Sequence, residues 1–583
     1  MKNIFSFIAC CVLGITLLHY RTIHSGLRSD IPLKVTTWDA LGYYMYLPSI
    51  FIYQDIRDLK WLTEIDSIYS VTGGEVYQAH KNESGNFVFK YLGGISIMEA
   101  PLFFVGHFIA TNTHYKADGF SPPYQYAIAF GAVIYCILAL FLLRGLLLRF
   151  FSDRSTAISL VLLVTATNLI QYVSVDSAMS HAYIFPLYVI IVYTTIKWHL
   201  KPSILWASLT GFTIGLATIC RPTEAIMLFI PLLWNTHTRG ASKEKWTQVK
   251  NHKLHVICAV IFGLIGILPQ LIYWKIASGS FVYDVGSKWV FLNPFFRVLF
   301  GWESGWFIYT PITIFFIIGF FFMKRYPFKN SVIVFCLLNI WIVISWFDWK
   351  YGATYSTRAL VQSYPVFAFP FTAFIERINL KKWRYIFYLL GLYLIAVNLF
   401  QLKQYYTTVL HFRDMNRQYY ARIYLNKNPS PLDMSLLDTH EFLRDEGKYD
   451  KHTVLFKDSL FEVRCSNGTY AGLLETSIEH NDLNQTKADA WVRIESKIMV
   501  QNGFWDSYLN GELQSGDSIK SCKIRLFNPI SQSGSFNNYA FYMKVPEYPD
   551  PIHLKLYIST MSNFQGNVEE VKISYLEKKL LPK

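Results

Sequence analysis

Tyr91–Thr111 reads YLGGISIMEAPLFFVGHFIAT, and the fold turns on whether this stretch crosses a membrane. It is apolar and, at about 20 residues, long enough to span. It also carries the pair Gly93–Gly94, Glu99 and Pro101. Counting it as a span would put the basic cluster Arg144, Arg149 and Arg154 outside and reverse every later loop. The stretch therefore reads as a helix lying in the interface or dipping partway in.

About eleven other segments read as transmembrane helices: 3–20, 124–148, 155–174, 178–196, 203–219, 223–234, 255–276, 306–323, 330–347, 359–376 and 384–401. With the N-terminus inside, the basic residues fall on alternate sides. The inner loops take Arg144 to Arg154, Lys197 and Lys201, Arg239 to Lys253, Lys324 to Lys329, and Arg377 to Arg384. The outer connections hold few: Arg221, Lys275, Lys288, Arg297, Lys350 and Arg358. An odd span count then places everything after about Gln401 outside. The first segment lacks a small-x-small cleavage site and reads as an uncleaved helix. The outer loop 21–123 holds Tyr91–Thr111 and a second amphipathic stretch, Ala40 to Tyr53. A loop this long beside a membrane suggests function.

Composition agrees. Hydrophobic residues make up 52% of the 583, charged residues 16%, and the mean hydropathy is +0.25, so a soluble chain is excluded. The net charge of +14 is spent in short loops between apolar runs, which argues against nucleic acid as a partner. Most of the eight cysteines lie in or beside apolar segments without ligand-like spacing.

From about Arg422 the pattern changes. VLFKDSLFEV, AWVRIESKIMV, CKIRLF, YAFYMKV, HLKLYIS and VEEVKISYL alternate with period two and are separated by Gly, Asn, Ser and Pro. This predicts an all-β sandwich of six to eight strands at 448–583, joined by a connector at 402–447 to the membrane part, 1–401. Cys465 and Cys522 lie on the outer side, where a disulfide between them stays open. Trp491 and Trp505 read as core residues, with stacking on sugar rings as the alternative.

Ionisable groups near a membrane are costly and tend to mark sites. Here they gather at the outer face. Asp39, in TTWDALGYYMYLP, reads as a cap for a helix beginning at Ala40 or as a catalytic acid. Asp176 opens DSAMSHAYIF at the junction of the third and fourth spans, with His181 a turn or so into the next helix. Lys90 precedes the interfacial helix, and its ordinary role is a snorkelling anchor. Arg221 sits in CRPTEA, with Glu224 as a local ion-pair partner, and Arg358 sits in WKYGATYSTRALV at the start of a span. Together these acids and cations suit an anionic, lipid-anchored substrate, whose phosphate Lys and Arg would hold. A carboxylate could take the proton of an attacking hydroxyl.

The order of these motifs resembles the GT-C superfamily of membrane glycosyltransferases, in particular the branch with protein O-mannosyltransferases and the aminoarabinose transferase acting on lipid A. WDALGYYMYLP, KYLGGISIMEAPLFF, GLATICRPTEA, LFGWESGWFIYTP and WKYGATYSTRALV carry the likeness, which covers about residues 1–400. Two features depart from it: Asp39 is followed by Ala40 rather than Glu, and the lysine segment lacks a double proline. The resemblance implies an α-helical polytopic GT-C-like fold and inverting transfer of a sugar from a polyprenyl-phosphate donor to a glycan, lipid or protein. It makes Asp39 and Asp176 the catalytic acids, with Asp39 the base or the group orienting the acceptor hydroxyl. Lys90, Arg221 and Arg358 would hold the donor phosphate, and His181, Tyr43 and Glu224 would position substrate. A divalent cation, Mg or Mn, on Asp39 and Asp176 stays open. The expected location is a bacterial inner membrane, with the C-terminal domain periplasmic and resembling carbohydrate-binding jelly rolls. The competing readings are a transporter or polymerase of lipid-linked oligosaccharides and a non-catalytic scaffold. The scarcity of charges inside the spans counts against transport.

Overall fold

Each of the segments expected to span folds as helix, but not each as one helix. The computed structural model describes residues 3–24, 33–478, 489–528, 530–546 and 552–579. Among these, six helices are long and apolar enough to cross a membrane: Ile4–Ile23, Gly94–Thr111, Pro122–Leu147, Ser180–Leu200, Lys253–Ser278 and Arg384–Tyr406. The other apolar segments are shorter or broken. The expected span 155–174 divides into Asp153–Thr165 and Leu169–Ser174. At the break, Asn398 Nδ2 donates to the carbonyls of Thr165 and Thr167, both at 2.9 Å. Another chain segment thus satisfies the backbone groups that the break frees, as a break at membrane depth requires. The segment 306–322 is broken near Pro311, which has no amide hydrogen to give a helix.

Gly94–Thr111, expected to lie in the interface, is a continuous 18-residue helix that stands with the spans by length and composition. The residues that argued against a span have local roles. Glu99 is 0% exposed and so faces protein rather than lipid. A Cβ on Gly94 would lie 2.4 Å from the backbone nitrogen of Cys220, and one on Gly106 would lie 2.8 Å from the Cα of Tyr124. Glycine at these positions lets the helix close onto its neighbours.

The same device joins Ile204–Cys220 to Lys253–Ser278. Added Cβ atoms on Gly211 and Gly215 would lie 1.8 Å and 2.1 Å from the carbonyl oxygens of Ala259 and Gly263.

The long loop after the first helix is structured. Ala40–Tyr53, expected as one amphipathic stretch, forms two short helices, Asp39–Tyr44 and Tyr46–Phe51. They are followed by helix Lys60–Tyr69 and a hairpin of β1, Ala79–Lys81, and β2, Phe87–Phe89. Leu41, Tyr44, Trp61, Phe89, Phe103 and Phe120 bury a common core that fixes the loop on the start of the membrane helices.

The chain divides into two compact units, Met1–Leu399 and Phe400–Lys583. Among its described residues the second holds eight strands: β3 Tyr449–Cys465, β4 Tyr470–Ile478, β5 Trp491–Asn502, β6 Ser507–Ser515, β7 Ser518–Arg525, β8 Phe536–Lys544, β9 Ile552–Thr560 and β10 Phe564–Lys578. They form two four-stranded antiparallel sheets, ordered β3-β10-β5-β8 and β4-β9-β6-β7. Alternation explains the pairing: Val492, Ile494, Ile498 and Val500 of β5 are buried in one core with Leu509, Leu513, Leu554 and Leu556. The segment expected as a connector packs on the strands. Arg525 of β7 grips Asp438 at 2.7 to 3.1 Å, and the Lys544 amide donates to Glu441 at 2.6 Å.

Cys465 and Cys522 are free thiols, the first in β3 and the second in β7 of the other sheet. Trp505, expected in the core, is 69% exposed, with its ring 3.8 Å from that of Phe527.

Gly211→Ala should lower the thermal midpoint of the detergent-solubilised protein, at a cost of about 1–3 kcal/mol. Gly145→Ala, where an added Cβ meets open space, should leave it unchanged or slightly raised. Equal midpoints for the two variants would contradict the close helix approach.

Candidate active site

Asp39 is aimed by a strained residue. Trp38 has φ 54° and ψ −127°, a conformation that side-chain-bearing residues rarely adopt. The turn is held from three sides. The Trp38 amide donates to Val71 O at 3.0 Å, Gln78 Nε2 donates to Trp38 O at 3.2 Å, and the indole lies where a Cβ on Gly73 would be 2.5 Å away. Trp38 is the residue before the helix, so Asp39 is its first residue and not the cap expected from sequence. Its carboxylate is therefore free to turn away from the helix end.

It turns to three donors. Oδ1 accepts from the hydroxyls of Tyr77 at 2.8 Å and Tyr91 at 2.7 Å, and Oδ2 accepts from Arg358 Nη2 at 3.0 Å. The Tyr91 ring reaches this place because residue 42 is glycine: a Cβ there would be 2.0 Å from the ring. Tyr43 is buried, its ring 4.7 Å from that of Tyr91. Lys90 is exposed, with its ammonium over the rings of Tyr77 at 5.3 Å and Tyr91 at 5.6 Å. The two tyrosines thus stand between a carboxylate at their hydroxyls and a cation at their faces. Burial by itself would raise the Asp39 carboxyl, but the Arg358 charge and the hydrogen bonds from Tyr91 and Tyr77 outweigh it, holding it below the usual carboxylate range.

Arg358 arrives on a tight segment, with Tyr351, Gly352 and Ser356 at positive φ. Thr357 Oγ1 donates to Val298 O at 2.7 Å, and the Tyr355 amide donates to the Tyr172 hydroxyl at 3.0 Å. The Asp39–Arg358 pair is mostly out of water, with side chains 26% and 13% exposed.

Asp176 lies beyond helix Leu169–Ser174 and accepts from Gln171 Nε2 at 3.1 Å. It does not cap the next helix, whose preceding residue is Met179. Arg21, buried at the end of the first helix, holds the loop by donating to Val175 O at 2.8 Å and Ser177 Oγ at 3.4 Å. Burial raises the Asp176 carboxyl above the usual range, and the Gln171 hydrogen bond and the charges of Arg358 and Arg21 offset only part of this. Arg358 therefore acts on both acids. Burial also raises the Tyr351 hydroxyl, partly offset by the charges of both Arg221 and Arg358, so Arg221 belongs to the same electrostatic neighbourhood. Its guanidinium makes no hydrogen bond or ion pair among the described residues, and the expected pair with Glu224 is absent.

Glu224 is engaged elsewhere. Its Oε2 accepts from the Tyr188 hydroxyl and its Oε1 from Gln362 Nε2 at 3.1 Å, while Gln362 Oε1 lies 2.7 Å from His181 Nδ1. His181, Glu224 and Gln362 are buried, so this hydrogen-bonded chain does not face solvent. Gln362 and Arg358 share the short 3₁₀ turn Arg358–Ser363, which the chain anchors.

Among the described residues no group of three His, Cys, Asp or Glu is placed to hold a metal ion. The Asp39 carboxylate is engaged by two hydroxyls and a guanidinium. Tyr77, Tyr91, Gln362 and Arg21 are the residues that the sequence reading did not select. The aromatic richness of the outer loop was the one signal for the tyrosines.

No family model matches the sequence, and no curated protein matches it. Among solved structures the chain is similar to the apo oligosaccharyltransferase of Archaeoglobus fulgidus, at 10% identity and a TM-score of 0.41, covering 73% of this chain and 58% of that one. It is also similar to arabinosyltransferase EmbB of Mycobacterium smegmatis, at 9% identity and a TM-score of 0.31, covering 76% of this chain and 57% of that one. Both are glycosyltransferases by name. The chain spans less than two thirds of the length of either.

A double-mutant cycle of Asp39→Asn and Arg358→Gln, read as thermal stability in detergent, should give a coupling of about 1–3 kcal/mol. Additive effects would mean that the two charges do not interact.

Proposed function

We propose that the chain transfers a sugar from a polyprenyl-phosphate carrier to a hydroxyl of a glycan, lipid or protein at the outer face of the membrane. The observation that supports this reading is the Asp39 carboxylate gripped by Arg358 at 3.0 Å, with a second acid, Asp176, that burial pushes the other way against the charge of the same arginine. Such divergence separates acid–base roles.

Asp39, held ionised, is a weak proton acceptor. It keeps Arg358 in place and orients the acceptor hydroxyl. Asp176, raised toward neutrality, is the stronger base and takes the hydroxyl proton. The acceptor oxygen bonds to the anomeric carbon as the bond from that carbon to the phosphate oxygen breaks. The phosphate leaves with the bonding pair, and the configuration inverts. Arg358, Lys90 and Arg221 stabilise the growing charge on the phosphate. His181 and Glu224 act through Gln362 on the turn that carries Arg358, and Tyr43 acts through Tyr91. The order of the eight strands fits the double-sheet jelly roll, and a periplasmic location would set this domain among glycans.

The test is transfer from a polyprenyl-phosphate sugar in purified, correctly sized variants. Asp39→Asn should lose about 100-fold or more in kcat/KM, and Asp176→Asn a similar amount. Full transfer by either folded variant would sink the reading. The pH profile separates the acids. The acid limb of kcat/KM should lie above the ordinary carboxylate value of about 4, because Asp176 must be ionised to accept the proton. Asp176→Asn should abolish that limb. A limb below about 4 would make Asp39 the base instead.

A further inference from the structure

Helix Ser180–Leu200 carries His181 in its first turn and Trp198 and His199 in its last, about 27 Å further along its axis. At that far end lie two adjoining cavities that the reaction does not use. The first, about 440 Å³, is apolar. Its floor is the small-residue seam of Ala207, Gly211, Ala259 and Gly263, and Val260 and Leu264 on its rim are exposed on the lipid-facing side of helix Lys253–Ser278. The second, an open hollow of about 530 Å³, is lined by the hydroxyl and basic side chains of Thr236, Thr238, Arg239, Ser242 and Lys243 together with His237. Trp246 lines both cavities and is 41% exposed, so one amphipathic ring marks the border between them.

The charges are uncompensated. Arg239 and Lys243 form no ion pair among the described residues, and Lys245 in the wall of the apolar cavity is only 2% exposed. Its ammonium donates to the carbonyls of Pro231 and Leu232, with no carboxylate partner among the described residues. His237 Nδ1 is buried without a hydrogen-bond partner. Thr238 caps helix Arg239–Asn251, so the positive end of that helix opens into the basic cavity. An apolar trough open to lipid and continuous with a basic bowl matches one ligand shape: a hydrocarbon chain joined to an anionic phosphate headgroup.

We propose that these joined cavities form a binding site for an anionic phospholipid at the membrane face opposite Asp39. The acyl chain lies along the glycine seam, and the phosphate lies between Arg239, Lys243 and the start of helix Arg239–Asn251. The site is independent of sugar transfer, since none of its residues belongs to the proposed catalytic set.

The experiment is native mass spectrometry of the full chain released from detergent in the presence of phosphatidylglycerol or phosphatidylcholine, with competition by inorganic phosphate. The wild-type protein should retain one phosphatidylglycerol about tenfold more tightly than phosphatidylcholine. The double variant Arg239→Glu/Lys243→Glu should lose that preference. Val260→Trp, which fills the trough from its exposed rim, should weaken retention of both lipids; if it does not fold, Leu264→Trp serves the same purpose. Equal retention of the two lipids by the wild type would overturn the proposal. So would an unchanged preference in the charge-reversed variant, or retention unaffected by filling the trough. Displacement of the lipid by millimolar inorganic phosphate would leave a simple anion site and would equally overturn it.

Discussion

Asp39 and Arg358 lie 319 positions apart in the chain and meet through one hydrogen-bonded ion pair. The outer loop that carries the first and the span entrance that carries the second are otherwise separate pieces of chain. Each charge is largely withdrawn from water, so neither tolerates the loss of the other. The pair therefore dictates what its surroundings must supply. Trp38 must take a strained backbone so that Asp39 turns outward, and Gly73 must leave room for the indole. Gly42 must leave room for the Tyr91 ring, which brings the second hydroxyl donor. On the other side, Thr357 and Tyr355 must be tied down so that Arg358 points at the loop.

The pair also decides the chemistry open to each carboxyl. A carboxylate gripped by a guanidinium and two phenols is ionised but poorly basic. Asp176 has one amide donor, and burial outweighs that bond and the charges of Arg358 and Arg21, so it binds a proton more readily. Had both acids shared the cation equally, neither would be distinguished as a base. A phosphate ester entering beside Arg358 would compete with Asp39 for its N–H groups. Anion binding at Arg358 and the basicity of Asp39 would thereby be linked through the same side chain.

Much of this was legible in the sequence because it rests on local pattern. Hydropathy located the helices, and alternation located the sandwich. Asp39, Lys90 and Arg358 were selectable because charges at one membrane face are few. What was not legible depends on contacts distant in sequence. Glu99 counted against a span, and only the packing of its helix shows that it faces protein. Tyr77 and Tyr91 look like ordinary interfacial aromatics until the hairpin of β1 and β2, between them in the chain, fixes their placement. Strands β4 and β6 are less legible because glycine and polar residues in YAGLLETSI and SYLNGELQS break the period-two alternation. Their place is set by pairing with β9.

His181 and Glu224, expected to position substrate, are buried and bonded to protein groups. The reason lies in what a membrane interior allows. A buried carboxyl and a buried imidazole are tolerable when each finds a partner, and Gln362 serves both by accepting toward one and donating to the other. An amide suits this post because it offers an acceptor and a donor at one position, which no charged side chain does. The chain from Tyr188 through Glu224 and Gln362 to His181 thus joins helix Ser180–Leu200 and the turn after Ile204–Cys220 to the turn that carries Arg358. The turn that carries Arg358 is tied to both by side-chain hydrogen bonds. The membrane helices therefore set the angle of the cation on which both carboxyls depend.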